Sequence, residues 1–245
     1  MGKVKIKRKS TLIDMTAMSD VTVLLLTFFM LTSTFLQKEP VKVVTPSSVS
    51  EIKVPVQKLV TVLVDPQGRV FMSFAGDKDT TSTSGGMSTE EVRKQIFESV
   101  VAEYNRVHPS AKVNFTDKEE QTFCKTAMFG MPMNQLKKWL DLKDSKRDET
   151  IDPTKKQGAA MGFTQGIPID KSKDVEMAPN EFQIWIRAAY NCSSLKDVMV
   201  SGEGIAIKAD ADTPYSVVQI VMDNLQTLKM NKFTLMTALK KEKGQ

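Results

Sequence analysis

Residues 204–238 read GIAIKADADTPYSVVQIVMDNLQTLKMNKFTLMTA, a pattern that predicts a strand, a helix and a second strand. The runs 204–209 and 233–238 have strand character, and between them apolar residues recur at helical spacing. Thr213 is a good N-cap residue, and Pro214 suits the first helical position. Two strands joined through one helix are expected to be parallel, with a right-handed crossover. The C-terminal segment is therefore predicted to be a βαβ unit.

A β-hairpin is predicted upstream, where the apolar runs 59–64 and 70–74 flank a turn that contains proline and glycine. Ser88 and Glu91 then form a capping-box pattern at the start of a helix that ends near His108. Together with the βαβ unit, these elements predict an α+β domain, with helices packed on a mixed sheet. Three more helices are expected at residues 117–129, 133–142 and, with a strand as the alternative, 182–190.

The N-terminal region has the features of a membrane anchor. The 19 residues 18–36 (MSDVTVLLLTFFMLTSTFL) are mostly apolar, and a helix of that length spans roughly 28 Å, enough to cross a bilayer. Five basic residues precede the span, so the positive-inside rule puts the N-terminus in the cytoplasm and the rest of the chain across the membrane. A cleaved signal peptide is the alternative, but no small-x-small cleavage pattern follows. We expect a basic cytoplasmic tail, residues 1–12, and one transmembrane helix, residues 13–37.

Two segments are predicted to be connections. Residues 38–57 contain three prolines and many polar residues, which predicts an extended linker. Pairing of this segment with a sheet edge is the alternative. Residues 143–179 are charged and show little periodicity, which predicts a long loop or an insertion.

Composition argues against several classes of function. The net charge is +5, but five basic residues lie among the first nine, so the remainder is nearly balanced and no nucleic-acid partner is expected. The single histidine, His108, does not make a zinc site, and no metal or cofactor is expected. Cys124 and Cys192 lack C-x-x-C spacing and form either one disulfide or two free thiols. No catalytic motif was found, so enzyme activity is not expected.

Asp20 is the candidate functional residue, because an ionisable side chain inside a membrane helix is costly. Thr16, Thr27 and Thr34 share its helix face, at spacings of four and seven residues. Such a polar stripe predicts contact with protein or water, and burial would disfavour the charged carboxylate, as a proton carrier requires. Two alternatives are open: Asp20 caps the helix at the headgroup level, and the threonine hydroxyls bond to the preceding turn.

Two stretches resemble the ExbD/TolR family of biopolymer transport proteins. Residues 13–30 (IDMTAMSDVTVLLLTFFM) are similar to the family's membrane signature, whose acid falls on Asp20, and residues 207–237 look like its C-terminal βαβ segment. The hairpin also fits. The resemblance implies a periplasmic ExbD/TolR-like domain over residues 58–245, with an insertion at about 104–180.

The resemblance also implies a function: a proton-motive-force transducer in the inner membrane. The chain would be a homodimer inside an ExbB/TolQ-like multi-span membrane protein, with Asp20 as the proton carrier. Its periplasmic domain would act on a TonB-like partner that energises transport across the outer membrane. A TolR-like role in envelope maintenance or surface motility is one alternative, and a passive membrane-anchored adaptor is another. The choice of client rests on the resemblance alone.

Overall fold

The computed structural model describes residues 15–32, 41, 43–48, 55, 57–77, 86–152, 154–155, 157–171, 175–236 and 238–239. The chain divides into two units, Met1–Gln37 and Lys38–Gln245. The described part of the first unit is one helix, α1 (Met15–Thr32), which lies within the predicted residues 13–37. None of the helices in the described part of the chain combines the length and the apolar character needed to cross a bilayer.

A four-stranded mixed sheet and a separate pair of short strands make up the described β-structure of the second unit. The strands are β1 (Ser47–Ser48), β2 (Leu59–Val64), β3 (Val70–Ala75), β4 (Ile205–Ala209), β5 (Thr234–Leu235) and β6 (Ala238–Leu239). The sheet order is β3-β2-β4-β5, with β2 antiparallel to β3 and parallel to β4. β4 pairs parallel with β5, and β1 pairs parallel with β6. The predicted hairpin and the parallel pair of the βαβ unit are therefore confirmed.

Helices account for most of the remaining described residues of this unit. They are α2 (Thr89–Val107), α3 (Asp117–Lys125), α4 (Met133–Leu140), α5 (Asp144–Ile151), α6 (Gln157–Ala160), α7 (Glu181–Asn191), α8 (Lys196–Ser201) and α9 (Tyr215–Thr227). The observed α+β class, with helices and a mixed sheet, agrees with the prediction. Capping boxes start α2, α3 and α7, including the predicted pair Ser88 and Glu91. The ambiguous segment at 182–190 is therefore a helix.

The helix between the last strands begins differently from the prediction. Pro214 occupies the N-cap position, and α9 starts at Tyr215. The Thr213 hydroxyl, which was expected to cap the helix, instead donates to the carbonyl oxygens of Val64 and Asp65, at 3.3 and 3.0 Å. Because that hydroxyl bonds to the hairpin, it ties the start of α9 to the turn between β2 and β3.

The segment predicted as a long loop, 143–179, contains two helices, α5 and α6. Its residues bond to the hairpin, because Gln165 accepts a hydrogen bond from Arg69 and donates to the carbonyl oxygen of Thr150 at 2.5 Å. Apolar periodicity could not indicate these helices, because α5 is mostly charged with Ile151 as its one apolar residue, and α6 has only four residues. The prediction of an irregular loop was wrong for α5 and α6.

Aromatic side chains join the sheet to the helices. The Trp185 ring, on α7, stacks on Phe74 of β3 and Phe123 of α3, with centroids 6.1 and 5.6 Å apart. The Phe129 ring lies 4.4 Å from Trp185. Trp139, on α4, belongs to the same buried cluster. One hydrophobic core therefore includes residues from the sheet and from the predicted insertion.

Candidate functional site

Helix α1 carries the candidate proton carrier. Asp20 lies in its second described turn with an exposed side chain, four residues after Thr16 and seven before Thr27. These spacings correspond to one helix face, and the functional role of that face stays a prediction. Thr34, the fourth member of the predicted stripe, lies outside the described residues.

Several threonine hydroxyls of α1 bond to the helix itself. Thr27 Oγ1 donates to the carbonyl oxygen of Leu24 at 2.9 Å, and Thr32 Oγ1 donates to that of Phe28 at 2.7 Å. This is the local bonding that the alternative interpretation of the threonines expects. Since Thr27 has an acceptor within its own helix, it does not require a partner chain. The case for a functional face of α1 therefore depends mainly on Asp20.

Capping does not explain Asp20 within the described helix. The first described helical residue is Met15, five positions earlier, and the first turn contains no acidic residue. The stabilising effect of a negative charge near a helix N-terminus falls off within the first turn. Asp20 is also the only ionisable residue in the sequence of α1, MTAMSDVTVLLLTFFMLT.

Residues of the predicted linker contact other parts of the second unit, to which they belong. Val44 N donates to Asp210 Oδ2 at 2.8 Å, and Ala211 N donates to the carbonyl oxygen of Val44 at 2.9 Å. Val41 is fully buried, and β1 pairs with β6. These contacts agree with the sheet-pairing alternative for this part of the linker. We refer to residues 43–48 as the docked linker segment.

Asp210 shapes a turn and also holds the docked linker segment. Its Oδ1 accepts from Asp212 N at 3.0 Å, and its Oδ2 accepts from Val44 N. The partner lies 166 positions away along the chain, and no local pattern identifies such a contact. Asp65 is a second missed residue: it is fully buried, and its carboxylate accepts from Arg69 N at 2.8 Å and Arg69 Nε at 2.6 Å.

The described residues do not form a metal or redox centre. No group of three or more His, Cys, Asp or Glu side chains among them lies close enough to hold a metal ion. Cys124 and Cys192 are buried free thiols, so the disulfide alternative does not hold in this structure. Burial raises the pKa of the Cys124 thiol, and nearby Glu120 acts in the same direction. This thiol is therefore held in its unreactive, protonated form.

α1 carries one acidic residue, Asp20, in its second described turn, and the α+β domain that follows along the chain holds the docked linker segment through Asp210. The family model for biopolymer transport protein ExbD/TolR matches residues 7–128. The chain belongs to the ExbD/TolR family. Members of this family are membrane-anchored transport accessory proteins and not enzymes. No curated protein and no solved structure matches the chain.

The matched stretch contains Asp20, the β2–β3 hairpin, α2 and α3. It ends one residue before Phe129, so it overlaps the first part of the predicted insertion, residues 104–180, and leaves the remainder unmatched. The C-terminal resemblance at 207–237 also lies beyond the match. The bounds of the insertion remain a prediction.

Proposed function

We propose that this chain is the ExbD-like subunit of an inner-membrane motor that uses the proton-motive force to energise TonB-dependent transport across the outer membrane. The observation that carries this proposal is the family match over residues 7–128, because it includes Asp20, the one ionisable residue of α1. In this proposal residues 13–37 span the membrane once, with the N-terminus in the cytoplasm and residues 58–245 in the periplasm.

Asp20 is the proposed proton carrier. Moving a charged carboxylate into an apolar environment costs more free energy than moving its protonated form. Taking up a proton therefore favours positions of α1 in which Asp20 faces apolar surroundings. Because α1 offers no second ionisable residue, the groups that deliver and remove the proton must come from another chain. An ExbB/TolQ-like multi-span protein, surrounding a homodimer of this chain, would supply them.

The second unit would pass the resulting motion to a TonB-like partner. The docked linker segment supports this transfer of motion, because the hydrogen bond at Val44 and the β1–β6 pair join the linker directly to the domain. A pull on the linker would therefore reach the sheet through Asp210. A TolR-like motor with an envelope-maintenance or motility client fits the same contacts, and the client that binds residues 59–245 distinguishes the two.

Asp20→Asn tests the proposed proton carrier. Asn keeps the size and polarity of the side chain but cannot bind and release a proton, so we expect proton-driven import to fall to the background rate. The chain should still insert and should still co-purify with its multi-span partner. The measurement is the uptake rate of an energy-dependent outer-membrane substrate in cells that rely on this chain.

Two variants complete the test. Asp14→Asn is the matched control, and we expect it to be mild because Asp14 lies at the start of the predicted span. Asp20→Glu keeps a titrating group displaced by about one methylene, so partial uptake is expected. Normal uptake by Asp20→Asn would rule out the proton-carrier role and would favour a passive adaptor.

A further inference from the structure

The turn between β2 and β3 contains a buried ion pair. Asp65 is fully buried, and its Oδ1 accepts from the backbone N–H groups of Gln67 and Arg69, at 3.0 and 2.8 Å. The Arg69 side chain is its counter-ion, with Nε 2.6 Å and Nη2 2.5 Å from Asp65 Oδ2. A buried carboxylate that loses its partner charge is strongly destabilising. The shape of this turn therefore depends on the position of the Arg69 guanidinium.

A residue of the predicted insertion holds that guanidinium in place. Arg69 Nη1 donates to Gln165 Oε1, and Gln165 Nε2 donates to the carbonyl oxygen of Thr150 at 2.5 Å. Thr150 is fully buried, and its hydroxyl accepts from Trp139 Nε1 at 2.8 Å. The backbones are also close, since a Cβ added at Gly166 would lie 2.9 Å from Arg69 Cβ. The amide of Gln165 thus links the buried core of the insertion to the arginine of the turn.

The same turn supports the residues that hold the docked linker segment. The Thr213 hydroxyl donates to the carbonyl oxygens of Val64 and Asp65, at 3.3 and 3.0 Å. Asp210 N donates to the carbonyl oxygen of Val64 at 3.1 Å, and Thr213 N donates to that of Asp210 at 3.1 Å. The Asp210 carboxylate then accepts from Val44 N at 2.8 Å. The backbone that the buried ion pair shapes is therefore the backbone to which the linker-holding residues bond.

We propose that Gln165 is a positioning residue for the docked linker segment, because it keeps Arg69 on Asp65 and so preserves the turn to which Asp210 bonds. Through this contact the insertion sets how firmly the linker is held. Without Gln165 Oε1, water competes for the guanidinium, since the Arg69 side chain is already 19% exposed. The inference deepens the proposed function, and it rests on that function only for the role of the linker in transmitting motion.

Deuterium exchange in the full chain, in detergent micelles, tests the proposal. Gln165→Leu removes both hydrogen-bonding groups of the side chain at similar size. We expect the Val44 amide to exchange severalfold faster. The Val60 amide, which donates to the carbonyl oxygen of Gly204 at 2.9 Å, should keep the rate of the unmodified chain. Local release of the linker changes only the first rate, whereas a general loss of stability accelerates both.

Gln135→Leu is the matched control. Gln135 bonds to the residue before Gln165, because its Oε1 accepts from Thr164 N at 2.7 Å and its Nε2 donates to the Thr164 hydroxyl at 3.2 Å. These bonds hold the same loop but do not go to Arg69, so the Val44 rate should not change. An equal rise at Val44 in both glutamine variants would show general loosening of the loop and would overturn the proposal.

Two results for Gln165→Leu itself would also overturn the proposal: an unchanged rate at Val44, or equal acceleration at Val44 and Val60. If this variant does not fold, Arg69→Lys decides by the same two amides, and the same results are expected. Lysine keeps a positive charge beside Asp65 but lacks the planar fork that bonds to Asp65 and Gln165 together. These exchange rates do not depend on proton-driven uptake, so failure of this inference and failure of the proposed function are distinguishable.

Discussion

Glu181 is an acidic residue that joins two helices. It is the first residue of α7, and its Oε2 accepts from Met133 N, at the start of α4, at 2.9 Å. Pro132, the N-cap of α4, makes no side-chain cap. Burial raises the pKa of Glu181, and the hydrogen bond from Met133 acts in the opposite direction. The start of α4 is thus capped from another helix, by a group whose charged form is disfavoured.

This raised pKa predicts a pH dependence of stability. The folded chain binds the Glu181 proton more tightly than the unfolded chain, so the stabilisation is present at low pH and is lost as pH rises from 4.5 through the raised pKa. Glu181→Gln keeps an oxygen acceptor for Met133 N but does not titrate. We expect the free energy of unfolding of Glu181→Gln to fall less than that of the unmodified chain as the pH rises above 4.5. Urea unfolding at a series of pH values measures it.

Glu98→Gln serves as the control, because the Glu98 side chain is 59% exposed on α2. Its pH curve should follow that of the unmodified chain. Glu181→Ala should in addition lower the free energy of unfolding by about 0.5–2 kcal/mol, the usual loss for a helix cap. Identical pH curves for Glu181→Gln and the unmodified chain would show that the carboxyl does not contribute.

Among the elements, the docked linker segment gives the clearest test. Asp210 Oδ2 accepts from Val44 N, and Asp210→Ala removes that acceptor. We expect the Val44 amide to exchange faster in Asp210→Ala, with protection lower by about 1–3 kcal/mol, because the segment opens without unfolding the sheet. Deuterium exchange followed by NMR or mass spectrometry measures it.

Asp212→Ala provides the comparison, since Asp212 is exposed in the same turn and bonds to Asp210 through its backbone nitrogen. The Val44 amide should be unaffected by that change. If the Val44 amide exchanges equally fast in Asp210→Ala and Asp212→Ala, the contact with Asp210 does not hold the linker, and the linker behaves as a free tether.

Local rules account for the elements that the sequence predicted well. The capping box at Ser88 and the positive φ of Gly68, 77°, in the hairpin turn depend only on neighbouring residues. The missed features depend on partners far along the chain, such as Phe129 on β3 and Val44 on Asp210. At α1, the sequence singled out Asp20, but periodicity could not indicate that Thr27 bonds to its own helix.

For the second unit as a whole, the shared core predicts cooperative unfolding. Trp139, in the predicted insertion, and Trp185, against the sheet, are 1% and 0% exposed in one cluster, and the chain has no other tryptophan. We expect Trp139→Phe and Trp185→Phe, each keeping one reporter, to show fluorescence transitions that coincide with loss of far-ultraviolet circular dichroism.

Comparing the two signals within each variant removes the effect of differing stabilities. A Trp139 transition at lower denaturant than the circular dichroism change would show that the region around α4 unfolds separately. That result would favour an inserted module with its own stability over a single folded unit.

The position of β2 also has a consequence for the order of synthesis. Val60 pairs with Ile205, so the central strand of the sheet cannot complete its parallel side until the ribosome has added the intervening residues. At typical elongation rates of about 5–20 residues per second, the wait is roughly 7–30 seconds. During that time β2 has only β3 beside it, and its other side is open to any extended chain nearby. Chaperones that bind the newly made chain therefore matter most before β4 is synthesised, because they can shield the open side of β2 from pairing with other chains.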